Sequence, residues 1–238
     1  MSVSPDIVIA SAGSTLFGVR AAASAWQKSI DNAVTLSIIT DHGHLLMQQA
    51  LAGTWDVGMV MLPADMIRPL QDEGCLAPVE PVHLGSVCIG AAVSTATGRA
   101  GVADIPALTH ALREASEIML TLAPTGDHMM KVITGLGLLP VVESKIKRFD
   151  KSVEVNRYLV TAPAGALAFG PATEILAWSD RGVTWCGAIP PALQVVLPYE
   201  AAILKNARDK QNAQAFLAYL TTEESRECFA QSGVEYKR

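Results

Sequence analysis

The run from Ile39 to Gly53, ITDHGHLLMQQALAG, sets His42 and His44 on either side of Gly43 at the head of a helical pattern. A second run, APTGDH from Ala123 to His128, closes a strand-like segment on Thr125, Gly126, Asp127 and His128. An imidazole titrates near neutrality and both donates and accepts, so such a group can move a proton or hold an oxygen anion. Proton transfer beside a carboxylate needs a base and an acid, and His44, His128 and Asp127 are the clustered groups able to supply them. The plainer reading makes each run the ordinary start of a surface helix. On these residues alone both readings stay open.

Three junctions between an apolar run and a helical pattern share one chemistry: SAGST (Ser11 to Thr15), TDHGH (Thr40 to His44) and APTGDH. Each offers small or hydroxylic side chains together with the unpaired backbone N–H groups of a helix start, the ingredients of an anion cradle. Ser14, Thr15, Thr40, Gly43, His44, Thr125, Gly126 and His128 are therefore candidate ligand-binding residues. Arg20, Arg68, Lys131, Lys145, Arg148 and Arg157 are candidate charge partners for a carboxylate, and an arginine can meet one bidentately. His42 reads as a loop group, His83 as part of a hinge strand and His110 as a helix-face residue. No GxxxxGK[ST], GxGxxG, GxSxG or HExxH pattern occurs. Neither a phosphate loop, a nucleophile elbow, a metal site nor a cofactor is expected.

These groups need elements to hold them. DIVIAS, AVTLSIIT, WDVGMVML, HLGSVCIGAAV, EIMLTLAP and GVTWCGAI read as strands. Between the early ones lie a helix from Ser14 or Thr15 with Leu16, Val19, Ala23 and Trp26 on its buried face, the His-headed helix with a stripe of Leu45, Leu46, Gln49 and Ala52, and a short helix opened by Pro63. DIPALTHALREA and TGDHMMKVITGLGL read as helices, EVNRYLVTAP as a helix end and loop, GALAFGPATEILAW as a strand entering a helix, and KQNAQAFLAYLTTEESRECFAQSG as one amphipathic helix. This alternation predicts an α/β fold with a parallel sheet covered on both faces, and such sheets bind ligands beyond the carboxyl ends of their strands.

Composition bounds what the chain can be. With 238 residues, 50% hydrophobic and 17% charged, it has material for a large core, in one domain or two lobes of about 100 residues each. The net charge of -5, with scattered Lys and Arg, gives no footprint for nucleic acid. No apolar run approaches the ~20 residues that span a bilayer, so a soluble chain without membrane insertion is expected. Cys75, Cys88, Cys186 and Cys228 lack ligand or redox spacing and read as buried free thiols. Those thiols and a start, MSVSPDIVIAS, without the pattern of a leader suggest the cytoplasm, or the periplasm if a leader has been removed.

The order of segments carries a resemblance. IVIASAGSTLFGVRAAASAWQK, ALAGTWDVGMVMLPADMIRPLQDEGCLAP, LAPTGDHMMKVITGLGL, GALAFGPATEIL and PYEAAILKNARDKQNAQAFLAYLTTEESRECFAQSGVEY together resemble the molybdate-binding branch of the type II periplasmic solute-binding proteins. The closing segment is the most telling, with a Tyr-x-Ala-Ala strand, an N-A-x-A-F-L-x-Y-L helix, T-x-E-x-x and a last helix ending in Gly. The resemblance implies an α/β, two-lobed fold with the ligand in the interlobe cleft. Residues 1–81 and 191–238 would form lobe 1, and 82–190 lobe 2. It also implies a small-molecule anion as ligand and a membrane transporter as partner.

Within that resemblance Ser14 and Thr15 match the family's first oxyanion-binding hydroxyl. Gly43 and His44 stand where a pair of serines is expected. The family's second-lobe tyrosine is missing from AFGPATE, where Thr173 offers a hydroxyl instead. These departures turn the expectation from molybdate to a di- or tricarboxylate, which two imidazoles suit better. Some proteins resembling this branch isomerise aconitate. An aconitate isomerase-like activity using His44, His128 and Asp127 is thus the alternative to simple capture.

Overall fold

In a computed structural model describing residues 5–97 and 100–236, the chain begins as a run of strand–helix pairs. Strand β1 (Ile7–Ala12) passes through a tight turn at Gly13–Thr15 into α1 (Leu16–Ser29), then β2 (Leu36–Asp41), α2 (Gly43–Ala52), β3 (Met59–Pro63), α3 (Ala64–Asp72) and β4 (Val82–Val87). The buried face of α1 carries Val19, Ala22, Ala23 and Trp26, at helical spacing. In α2 the buried pair is Leu46 and Ala50, while Leu45 is 46% exposed. The expected stripe is thus rotated, because the helix start lies so close to α3 that a Cβ on Gly43 would stand 2.9 Å from the Met66 sulfur.

The middle of the chain repeats the scheme: β5 (Ile89–Ser94), α4 (Ile105–Glu114), β6 (Ile118–Thr121), α5 (Pro124–Gly135), α6 (Leu139–Val142), β7 (Ile146–Phe149), α7 (Ser152–Thr161), β8 (Leu167–Pro171), α8 (Ala172–Leu176) and β9 (Val183–Ala188). The return comprises β10 (Leu197–Ile203), α9 (Lys210–Tyr219) and α10 (Glu223–Gln231). Residues expected to form one closing helix form two. Thr222 accepts a hydrogen bond from the Ser225 N–H at 3.3 Å and caps the second, with Glu223 and Glu224 in its first turn.

Two five-stranded sheets result, ordered β2-β1-β3-β10-β4 and β7-β6-β8-β5-β9. The expected parallel pattern holds for β2-β1-β3 and for β7-β6-β8, whereas β10 and β5 run antiparallel to both of their neighbours. HLGSVCIGAAV, read as one strand, is two. The chain leaves the first sheet at Val87 and enters the second at Ile89. Gln194 fixes this passage from within the second unit, accepting from the Ile89 N–H and donating to the Ile89 carbonyl, each at 2.8 Å.

The chain divides into two compact units, one running to Val87 and resuming at Leu197, the other Cys88–Val196. These boundaries fall later than residues 81 and 190, because β4 pairs with β10 inside the first sheet. The first unit has one continuous apolar core, in which Trp26 of α1 meets Phe216 of α9 with ring centroids 5.1 Å apart. The second is packed on both faces of its sheet. Leu108, Met129 and Ile133 cover one face, and Val155, Leu159 and Ile175 of α7 and α8 cover the other. All four cysteines are free as expected, but of them only Cys88 is fully buried. Among the described residues no helix is long and apolar enough to cross a membrane.

Candidate functional site

In the first unit the parallel register brings three strand ends level: Ser11 of β1 pairs with Thr40 of β2 and Met61 of β3, and Ala12 pairs with Asp41. A helix start follows each end, so Ser14, Thr15, Thr40, Gly43 and His44 gather at one edge of the sheet. Their availability differs. Thr15 is wholly buried, its hydroxyl 2.9 Å from that of Ser11 and donating to the Ala12 carbonyl at 3.2 Å, while Ser11 donates to the same carbonyl at 3.0 Å. With one proton per hydroxyl serving these contacts, the Ser11–Thr15 pair is closed on its own turn. Ser14 is also buried.

The second helix start is open. His42 occupies the cap position of α2 in extended conformation; its N–H donates to the Asp41 carboxylate at 2.9 Å and its carbonyl accepts from the Leu46 N–H at 3.1 Å. Thr40 and His44 are exposed, so their polar groups face water. Gly53, in the left-handed conformation, ends the helix where the sequence places its stop.

In the second unit β6 ends at Thr121, and α5 begins after Ala123 with Pro124 at its first position. Gly126 is required here: a Cβ at this position would collide with the Thr121 backbone carbonyl. Thr121 and Thr125 are buried, with their hydroxyls 3.4 Å apart. Arg148 of β7 braces the junction, donating from Nε to the Thr121 carbonyl at 2.9 Å and from Nη2 to Asp127 at 2.5 Å. His128 donates from Nε2 to the Leu193 carbonyl at 2.8 Å. On α8, Thr173 is 1% exposed and its hydroxyl has no hydrogen-bond partner among the described residues.

Asp127 and His128 are consecutive on a helix and so project about 100° apart. Each is already engaged, one by Arg148 and the other by Leu193. Of the six candidate charge partners, Arg148 is tied to this junction, Lys145 donates to the Arg113 carbonyl at 2.7 Å, and Arg20, Arg68, Lys131 and Arg157 are exposed. His83 and His110 are exposed on β4 and α4. Ser11, which opens the SAGST junction, and Thr121, which is not among the candidate residues, are the buried hydroxyls at the two strand ends. Their signal was position, a polar residue closing an apolar run just before a candidate helix start. Among the described residues no group of three or more His, Cys, Asp or Glu is placed to hold a metal ion.

The profile of the bacterial extracellular solute-binding protein family matches residues 7–235. No curated protein matches by sequence. Among solved structures, the periplasmic molybdate-binding protein of Azotobacter vinelandii is similar with a TM-score of 0.77 at 16% identity, covering 98% of this chain and 100% of the other. PEB3, a Campylobacter jejuni protein, in its L-phospholactate-bound form has a TM-score of 0.70 at 13% identity, covering 97% of this chain and 100% of the other. AgtB of A. tumefaciens R10, in complex with agropinic acid, has a TM-score of 0.68 at 12% identity, covering 97% of this chain and 82% of the other. At these identities the likeness is one of fold, the two-lobed α/β fold of periplasmic binding proteins.

Proposed function

Because the chain belongs to the bacterial extracellular solute-binding protein family, we propose that it captures a small organic anion, a di- or tricarboxylate rather than molybdate, at the carboxyl ends of its parallel strands. The observation that carries this reading is the first unit's level row of strand ends. There the hydroxyls of Ser11 and Thr15 are turned onto their own backbone, while the open donors come from Thr40, His44 and the start of α2. A compact tetrahedral oxyanion is served best by converging hydroxyls and backbone N–H groups. An exposed imidazole set apart from them suits oxygens spread over a larger molecule. Proteins sharing this fold include one solved with L-phospholactate, one solved in complex with agropinic acid and a molybdate-binding protein, so the scaffold accommodates organic acids.

Capture needs no bond making. It requires differential affinity between conformations, and a membrane transporter that reads the loaded form is the partner this reading supplies. The test is a thermal-shift screen of malate, citrate and trans-aconitate beside molybdate, tungstate and sulfate. At 100 times its dissociation constant a ligand stabilises by about 2.7 kcal/mol, well within reach of such a screen. A shift with a carboxylate at lower concentration than with molybdate supports the reading, and the reverse order removes it.

A further inference from the structure

The chain crosses between the two sheets twice: once from Val87 to Ile89, with Cys88 alone in between, and once from Gln194 to Leu197, through Val195 and Val196. In the first unit the two crossings are joined by the ladder itself, where Val87 of β4 pairs with Leu197 of β10. In the second unit a side chain joins them. Gln194 lies outside the strands, just after the Pro191–Leu193 turn, and bonds to the backbone of Ile89, the first residue of β5.

The geometry of this junction is specific. Ile89 is wholly buried, so both of its backbone polar groups need partners. Gln194 Oε1 accepts from the Ile89 N–H and Nε2 donates to the Ile89 carbonyl, each at 2.8 Å, across 105 residues of chain. A flipped amide would set oxygen against oxygen and N–H against N–H, so one orientation alone satisfies both bonds. Continuing the register beyond the pair Gly90 and Ala188 sets Ile89 opposite Ile189. There the Ile189 N–H donates to the Ile89 carbonyl at 3.1 Å, and Gln194 Nε2 reaches the Ile189 carbonyl at 3.4 Å. Gln194 thus extends the ladder by one rung between β5 and the chain that follows β9. Backbone bonds anchor the same ends: the Cys88 carbonyl accepts from the Ala172 N–H at 2.9 Å, and the Leu193 carbonyl from His128 at 2.8 Å.

We infer that Gln194 is a positioning residue for capture: it clasps the two crossings together on the side of the second unit, so that a change in one is passed to the other. The inference rests on the capture reading above, which requires conformations that differ in affinity. With the clasp closed, the crossings are ordered before the ligand arrives. With it open, that ordering opposes binding and lowers affinity. Gln194 is not one of the strand-end residues, so its loss weakens every bound anion by the same factor and leaves their order unchanged.

The test compares wild type with Gln194→Met, which keeps the bulk and removes both bonds, and Gln194→Glu, which keeps an acceptor for the Ile89 N–H. Leu159→Ala is the control: it truncates a buried residue of α7 in a core cluster of the second unit that does not include Ile89. Hydrogen exchange of the Ile89 amide, followed by NMR on the unliganded proteins, reads the clasp. Calorimetry with citrate, L-malate, sulfate and molybdate, below the melting transition of every variant, reads capture. Exchange at Ile89 is expected to rise about tenfold or more in Gln194→Met and less in Gln194→Glu, with Leu120 of β6 unchanged. The affinity for each anion that wild type binds is expected to fall about fivefold in Gln194→Met, by one common factor, and less than about twofold in Leu159→Ala. Unchanged exchange at Ile89 overturns the clasp, and faster exchange with unchanged affinity overturns its role in capture, while the capture reading stands in both cases. The inference is overturned in the same way if Leu159→Ala weakens binding as much as Gln194→Met, or if Gln194→Met reorders the anions. Should Gln194→Met fail to fold, Gln194→Glu decides by the same criteria. If wild type binds none of the four anions, the capture reading falls and the role of Gln194 falls with it.

Discussion

His128 donates its Nε2–H to the Leu193 carbonyl at 2.8 Å, tying α5 to the short turn Pro191–Leu193 that precedes the return to the first sheet. A nitrogen that donates to a carbonyl is not available to take a proton from a bound acid. The bond engages one of the two ring nitrogens and braces the start of α5 against that turn. His128→Ala is expected to lower the unfolding free energy by about 1 kcal/mol in urea titrations, the usual size of one such bond. An unchanged midpoint would show that the bond contributes nothing.

Capture and acid–base chemistry give different outcomes with an unsaturated tricarboxylate. Wild type incubated with trans-aconitate is expected to return it unconverted, as followed by NMR. Appearance of the cis isomer at a rate that His44→Gln abolishes would restore a catalytic role for the imidazoles.

Two glycines, one in α5 and one in β8, are expected to respond oppositely to the same substitution. Gly126→Ala drives a methyl group into the Thr121 backbone carbonyl, which cannot move without distorting the end of β6, at a cost of about 2 kcal/mol or more. Gly170→Ala places its methyl in open space on a β backbone and restricts the unfolded chain, so it is expected to stabilise by about 0.5 kcal/mol. Thermal melts of the two variants decide it, and destabilisation by both would contradict the open space at Gly170.

Acid stability has an identifiable contributor. Lys147 donates to Glu117 at 2.6 Å and Tyr158 donates to its other oxygen at 2.9 Å, holding the Glu117 carboxyl below its ordinary value of 4.5, with the Lys147 hydrogen bond as the larger cause. A lowered carboxyl pKa favours the folded state above the unfolded value, and this contribution is lost as pH falls through the folded value. Glu117→Gln is expected to flatten stability against pH below about 4.5 and to leave the slope near neutrality unchanged. Identical acid limbs would exclude this contribution.

Much of the fold is legible in the sequence because strands and helices announce themselves by period and by stop signals. Gly53 ends α2 as read, and the SAGST, TDHGH and APTGDH junctions fall at strand ends. What escaped was fixed by distant pairing. Nothing local in HLGSVCIGAAV tells that Val87 pairs with Leu197 while Ile89 pairs with Pro171, so one apolar run hid two strands. The edge strand IKRF of β7 was hidden by its own charges, as edge strands often are. EVNRYLVTAP reads as a helix end because its start, where the Glu154 carboxylate accepts from the Lys151 N–H at 3.4 Å, lies in an unobtrusive DKSVE. The side-chain state of the candidate site was the least legible part. Composition cannot say that Thr15 is turned onto Ala12 or that Thr173 is buried with no hydrogen-bond partner among the described residues, since both depend on packing across the sheet.

The central claim is that this solute-binding chain prefers an organic carboxylate to an inorganic oxyanion, and competition calorimetry on the wild-type protein tests it most directly. Protein saturated with molybdate is titrated with citrate and with malate, and the order is then reversed. The account expects a carboxylate to displace molybdate with an apparent affinity at least tenfold tighter, a difference of about 1.4 kcal/mol. Molybdate displacing both carboxylates with the tighter constant would contradict it.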